Sequence, residues 1–110
     1  MKLPNGDQAV IDRRKLTDYA LNPAHDDGKH KARLFRELLG IRPDNVDLLI
    51  EALQVAAAEG NAQVGHPDRY GQRYLLDFDL TGPTGRALIR SVWIVLAGDV
   101  VPRLVTCYIL

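Results

Sequence analysis

The chain has 110 residues, 46% of them apolar and 25% charged, enough for one globular domain with a single core and no need of covalent staples. Its formal net charge is zero, which argues against nucleic-acid binding driven by bulk charge. A lone cysteine, Cys107, excludes an internal disulfide, and no Cys/His spacing suggests zinc, so neither metal nor cofactor is expected.

The opening Met1-Lys2-Leu3-Pro4-Asn5-Gly6 has no apolar stretch of the signal-peptide kind. The longest apolar run, Val92 to Ala97, is far too short to span a bilayer, so a cytoplasmic protein with no membrane contact is expected. Gln8 to Ile11 reads as a short first strand or an extended lead-in. Arg13 to Leu21 carries Leu16, Tyr19 and Ala20 at helical spacing, and Pro23 ends that helix by disfavouring helical geometry at Asn22. A polar loop with His25 follows. The second helix spans about Lys29 to Leu39, with Ala32, Phe35, Leu38 and Leu39 as its apolar stripe and Gly40 as its stop. Pro43 and Asp44 suit the start of a third helix running to about Glu59, with Val46, Leu49, Ile50, Leu53 and Ala56 or Ala57 buried.

After Gly60 the hydrophobic period changes from 3.6 to 2. Gln63 to Asp68 reads as a loop with a short strand at most. Gly71 to Thr81 alternates, with Tyr74, Leu76, Phe78 and Leu80 on one face and Arg73, Asp77 and Asp79 on the other. Gly82-Pro83-Thr84-Gly85 is a hairpin loop, Arg86 to Leu96 a central strand and Val100 to Leu110 the last. Residues 1–110 therefore predict one α+β domain, about three N-terminal helices packed on one face of a three- to four-stranded antiparallel β-meander. Phe35, Leu38, Leu49, Leu53, Leu76, Phe78 and Ile94 occupy its core-facing positions.

Charge is unevenly spread. Lys29, Lys31, Arg33, Arg36 and Arg42 face only Glu37 within their stretch, whereas Asp44 to Asp79 is acidic. Such a dipolar molecule suits a charged protein partner or a homodimer.

The sequence has no P-loop, GxSxG, HExxH or GxGxxG pattern. Its suggestive residues are His25 and His30, which as imidazoles can move protons near neutrality, beside Lys31 and Arg33, which can hold a phosphate. Metal-free RNA cleavage requires such a set: a base for the 2′-hydroxyl, an acid for the leaving oxygen and cations for the charge on phosphorus. In the strands, Ser91 shares a face with Trp93, and Thr106 with Tyr108. Should those faces meet, they would form a hydroxyl-rich patch with an aromatic platform. Tyr70 stands where it could overhang a cleft.

Asn22-Pro23-Ala24-His25, Gly28-Lys29-His30-Lys31-Ala32, Leu39-Gly40, Tyr70-Gly71, Val92-Trp93-Ile94, Pro102-Arg103-Leu104 and Thr106-Cys107-Tyr108 together resemble a small bacterial family of unknown function. Its members occur alone, often encoded beside a small SH3-like protein, and as the last domain of polymorphic toxins and phage head-morphogenesis-type proteins. The layout is similar to that of the barnase, EndoU, colicin and RelE ribonucleases, a fold-level analogy. The matching polar positions are His25, Lys31, Ser91, Trp93, Arg103, Thr106 and Tyr108. The resemblance implies a metal-independent endoribonuclease of toxin type with RNA as substrate and a small antitoxin or immunity-like protein as partner. In that expectation His25 is the base, and Lys31 with Arg90 or Arg103 stabilises the phosphate. Thr106 and Tyr108 orient it, His30 and Arg33 help to bind it, and Trp93 or Tyr70 stacks a base. The alternatives are a non-enzymatic domain that holds an SH3-like or immunity-like protein, and a structural domain of a phage-derived assembly. The neutral charge leaves room for a tight protein partner.

Overall fold

In a computed structural model describing residues 1–110, the change of period near Gly60 is the boundary between helices and sheet. The first helix, α1 (Arg13–Lys15), is capped by the Asp12 carboxylate, which accepts from the Arg14 N–H, and widens into a π-helical turn over Leu16–Ala20. Next, α2 (Lys29–Leu34) runs on as a second π turn over Phe35–Leu39 and stops at Gly40, whose φ of 68° is the left-handed conformation that glycine adopts without strain. A 3₁₀ turn, Pro43–Asn45, leads into α3 (Asp47–Glu59).

Four strands follow: β1 (Ala62–Asp68), β2 (Gly71–Gly82), β3 (Gly85–Leu96) and β4 (Arg103–Ile109). They pair antiparallel in the order β1-β2-β3-β4, each joined to the next by a short turn, so the sheet is a meander. Leu76, Leu80, Ile89, Trp93, Leu104 and Cys107 point from the sheet toward Leu16, Phe35, Leu39, Leu49 and Leu53 of the helices, forming one core. The sheet's other face carries Leu75, Asp77, Arg90, Val92, Thr106 and Tyr108, as the pairings Leu75↔Val92, Asp77↔Arg90, Arg90↔Tyr108 and Val92↔Thr106 require.

Several expectations change. Gln8 to Ile11 forms no strand: Gly6–Gln8 is a 3₁₀ turn, and Val10 alone makes a parallel bridge to Arg103. Gln63 to Asp68, read as a loop, is most of β1. Gly65, His66 and Pro67 interrupt its alternation, and a bulge between Val64 and Pro67 accommodates them at the sheet edge, where a missing N–H is tolerated. Leu38 is 46% exposed, because the π turn rotates it off the buried stripe held by Phe35 and Leu39. Phe78 is half-buried against the core. Ile94 is buried but lies outside the main core cluster, since it follows Trp93 in an alternating strand and points to the opposite face.

Leu53, fully buried where α3 meets the sheet, provides a check on this packing. Leu53→Ala is expected to cost about 2–5 kcal/mol in equilibrium urea unfolding, and Leu38→Ala no more than about 0.5 kcal/mol. Equal effects would show that α2 or α3 is misrotated.

Candidate functional site

Each apolar helix face ends at a flank, and Lys31 stands on the flank of α2 beside buried Ala32. From there its chain reaches the β4 edge. Its Nζ donates to Tyr19 Oη at 3.1 Å and to Thr106 Oγ1 at 3.2 Å. The ammonium also lies 4.7 Å from the centre of the Tyr19 ring and 5.3 Å from that of Tyr108. An ammonium has three N–H donors and two are engaged, leaving one free. The two hydroxyls accept from Lys31 through their lone pairs, so each keeps its own hydrogen to donate elsewhere. Two hydroxyl donors thus flank one cation that keeps a free N–H of its own, in a half-buried setting where charge–dipole interactions are stronger than in water. Tyr19 enters this group from the π turn of the first helix, and Gly28 permits the approach: a β-carbon there would stand 2.1 Å from the Tyr19 carbonyl oxygen.

His25 joins the cluster through Tyr19, its ring edge-on with centroids 4.8 Å apart. Its Nδ1 accepts from the Asp27 N–H at 3.1 Å and the Gly28 N–H at 3.0 Å, so it caps the approach to α2. That lone pair is spent, and the neutral ring carries its proton on Nε2. In this geometry His25 turns Nε2–H, a donor, away from the cap, while the Nδ1 lone pair that a general base would use is held by the two amides.

Arg90 holds Asp77 by two parallel contacts of 2.9 Å and lies beside Tyr108, its cross-strand neighbour. The carboxylate pushes the guanidinium still further above its usual pKa, and the pair carries no net charge. Behind Thr106, Cys107 is buried in the core, and desolvation pushes its thiol pKa up to about 12, which makes it inert.

The remaining expected site residues lie elsewhere. Ser91 and Trp93 are fully buried on the core face, opposite to Thr106 and Tyr108. Ser91 Oγ donates to the Leu76 carbonyl at 2.7 Å and accepts from Trp93 Nε1 at 2.9 Å, so neither can bind substrate or stack a base. Tyr70 is exposed at the β1–β2 hairpin under the Arg69 guanidinium. The next residue, Gly71, pairs with Leu96, six residues and about 20 Å along β3 from Arg90, so Tyr70 cannot share a base with the Lys31 cluster. Arg103 leans on Asp99 at 3.7 Å, away from Thr106. His30 and Arg33 are exposed and line a hollow with Pro23, Lys29 and Arg36, to which Lys31 does not contribute.

Tyr19 and Asp77 are the members of the site that sequence reading did not select. Tyr19 reads as part of an apolar stripe, and its phenol tip at the stripe's margin is the one available signal. No group of three His, Cys, Asp or Glu side chains is arranged to hold a metal ion, and no helix is long and apolar enough to cross a membrane.

Among solved structures, the fold is similar to a chain in a contact-dependent growth inhibition toxin–immunity protein complex from Klebsiella pneumoniae 342. The TM-score is 0.68 at 19% identity, over 92% of this chain and 99% of that one. A search of the curated proteins finds no match. The profile of the domain of unknown function DUF6883 matches residues 2–110, essentially the whole chain and all of the cluster around Lys31, and the protein belongs to that family.

Proposed function

We propose that the domain is a metal-independent ribonuclease of toxin type. The observation that carries this reading is the Lys31 cluster: a half-buried ammonium flanked by the Tyr19 and Thr106 hydroxyls, with Tyr108 and His25 at its margins. Three free donors grouped around one ammonium suit the phosphate of an RNA strand as charge builds on its oxygens during attack by the 2′-hydroxyl. The free ammonium hydrogen meets a non-bridging oxygen, the Thr106 and Tyr19 hydroxyls meet its neighbours, and His25 Nε2–H stands ready as a further donor. The 2′-hydroxyl gives its proton to solvent as its oxygen bonds to phosphorus, the bond from phosphorus to the 5′-oxygen breaks, and that oxygen leaves with a proton taken from solvent, so catalysis of this kind rests on charge stabilisation. The fold-level likeness to a chain of a growth-inhibition complex supports the toxin class.

Purified protein incubated with bacterial RNA in EDTA is expected to leave fragments ending in 2′,3′-cyclic phosphate. Expression in a bacterial host is expected to arrest growth, and co-expression of an immunity-like protein to restore it. His25→Asn, whose side-chain oxygen can accept the same backbone N–H groups, is expected to keep the rate within about tenfold of the parent. A loss of about 10²–10⁴ in that variant would return the imidazole to the role of proton carrier. Absence of cleavage at micromolar protein would overturn the ribonuclease reading.

One feature favours a protein partner as well. An open trough of about 360 Å³ between α3 and β2 is lined by Leu48, Ala52, Val55, Ala56 and Phe78, with Glu51 and Asp79 at its rim. Val55 there is 58% exposed. An apolar centre with a charged rim is the anatomy of a protein interface, and it supports an immunity-like partner on the side formed by α3.

A further inference from the structure

The molecule's six ion pairs use Arg13, Arg14, Arg73, Arg86, Arg90 and Arg103. None uses a cation of α2 or of the turn that follows it, so Lys29, Lys31, Arg33, Arg36 and Arg42 all lack a carboxylate partner. Lys29, Arg33 and Arg36 stand at i, i+4 and i+7, one stripe along about 10 Å of helix axis. With His30 and Pro23 they line an open hollow of about 310 Å³ that contains no other side chain. Pro23 and Arg36 also line the adjoining cleft, which Arg42 extends. Cations left unneutralised in a shared concavity form a site for a polyanion.

We infer that this stripe is a track for the phosphate backbone of a single RNA strand, outside the Lys31 cluster and serving it. The inference rests on the ribonuclease reading for the identity of the polyanion. An acidic protein fits less well, because protein interfaces need apolar or aromatic anchors at their centre. The hollow has none, the apolar side chains of the adjoining cleft, Leu21, Ala32 and Ile41, are themselves buried, and the exposed apolar trough lies elsewhere, between α3 and β2. A phosphate track needs cations and access, and both are present. Lys31 projects from the same short helix on another side, so a strand laid along the stripe is held close to the cluster. Longer RNA therefore gains affinity from the track, whereas a dinucleotide is too short to use both places.

The test uses the Lys31→Ala variant, to prevent cleavage, and fluorescence anisotropy with a labelled oligoribonucleotide of about 12 nucleotides. Adding Arg33→Ala and Arg36→Ala is expected to weaken binding about tenfold or more at low salt. It should also reduce the slope of log affinity against log salt by about 1.4, the worth of two single-strand phosphate contacts. Arg69→Ala with Arg73→Ala, the same change in charge at the far hairpin, is expected to leave that slope nearly unchanged. In the otherwise native protein, Arg33→Ala with Arg36→Ala should raise KM for long RNA while kcat and dinucleotide cleavage stay as they were. Unaltered RNA affinity, equal loss in the hairpin control, or binding to poly-glutamate in place of RNA would each overturn the inference. Cleavage is scored separately. A domain that binds RNA through Arg33 and Arg36 yet cuts nothing keeps the track and overturns the ribonuclease reading, and cutting with affinity independent of both arginines does the reverse.

Discussion

Lys31→Ala is expected to lower the rate of RNA cleavage about a hundred- to a thousandfold, the usual effect of removing one preorganised donor from a site of developing negative charge. The substitution removes more than a charge. Lys31 Nζ holds Tyr19 Oη and Thr106 Oγ1 in place, so without it the two hydroxyls lose the bond that aims their hydrogens outward. Lys31→Arg is expected to recover only part of the rate, because a planar guanidinium cannot set a single nitrogen between the two oxygens. Lys31 is only half-buried, so the alanine variant should melt within a few degrees of the parent (roughly 1 kcal/mol corresponds to 4–8 °C in a domain of this size). Initial rates of cyclic-phosphate formation, with a thermal melt alongside, are the measurement. A rate within about threefold of the parent would remove Lys31 from the chemistry, and with it the proposal that the cluster is the active site.

Trp93→Ala has the largest effect expected on stability, about 3–5 kcal/mol. Total stabilities of domains are only about 5–15 kcal/mol, so this single change removes a large fraction of the margin. The indole is fully buried in the main cluster, and its N–H is satisfied by Ser91 Oγ, which in turn donates across the strand pair to the Leu76 carbonyl. Ser91→Ala removes the acceptor of the buried indole N–H, while the Leu76 carbonyl stays within the strand ladder, and is expected to cost about 1–3 kcal/mol. Urea unfolding checks both values. A Trp93 variant that stayed stable and lost only affinity for RNA would restore the base-stacking role expected from the sequence and refute the packing.

The same pair of residues shows what one sequence can reveal. Alternation within a strand is local, so the partition of β2 into Tyr74, Leu76, Phe78 and Leu80 against Arg73, Asp77 and Asp79 was legible, as were the helical stripe of α3 and the switch of period at Gly60. Which face of β3 meets which face of β4 depends on register, a long-range property. The register pairs Ser91 with Cys107 and Val92 with Thr106, then shifts between Val92 and Trp93, and this sets the two polar pairs on opposite sides of the sheet. Ser91 misleads for a further reason: a serine among strand residues looks like surface, but its hydroxyl is the one group that can satisfy a buried indole. Lys31 and Thr106 were legible as residue types, and their contact was not, because it depends on α2 lying along the β4 edge. The capping contact of His25 was hidden for a subtler reason. A histidine just before a helix has two available uses, and capping leaves no lone pair for proton abstraction.

The sheet's two borders bear on how any partner can attach. On one side, the backbone of Val10 accepts from the Leu104 N–H and donates to the Pro102 carbonyl, each at 2.9 Å, so the start of β4 is already occupied. On the other, β1 is bulged, and its Pro67 has no N–H to offer. Neither border presents a continuous row of free donors and acceptors, so recognition by β-augmentation, in which an incoming chain extends the sheet, is disfavoured at both. A complex of this domain must be built from side-chain surfaces. Its specificity should therefore respond to point substitutions at Val55 or Leu48 and be little altered by changes along β1.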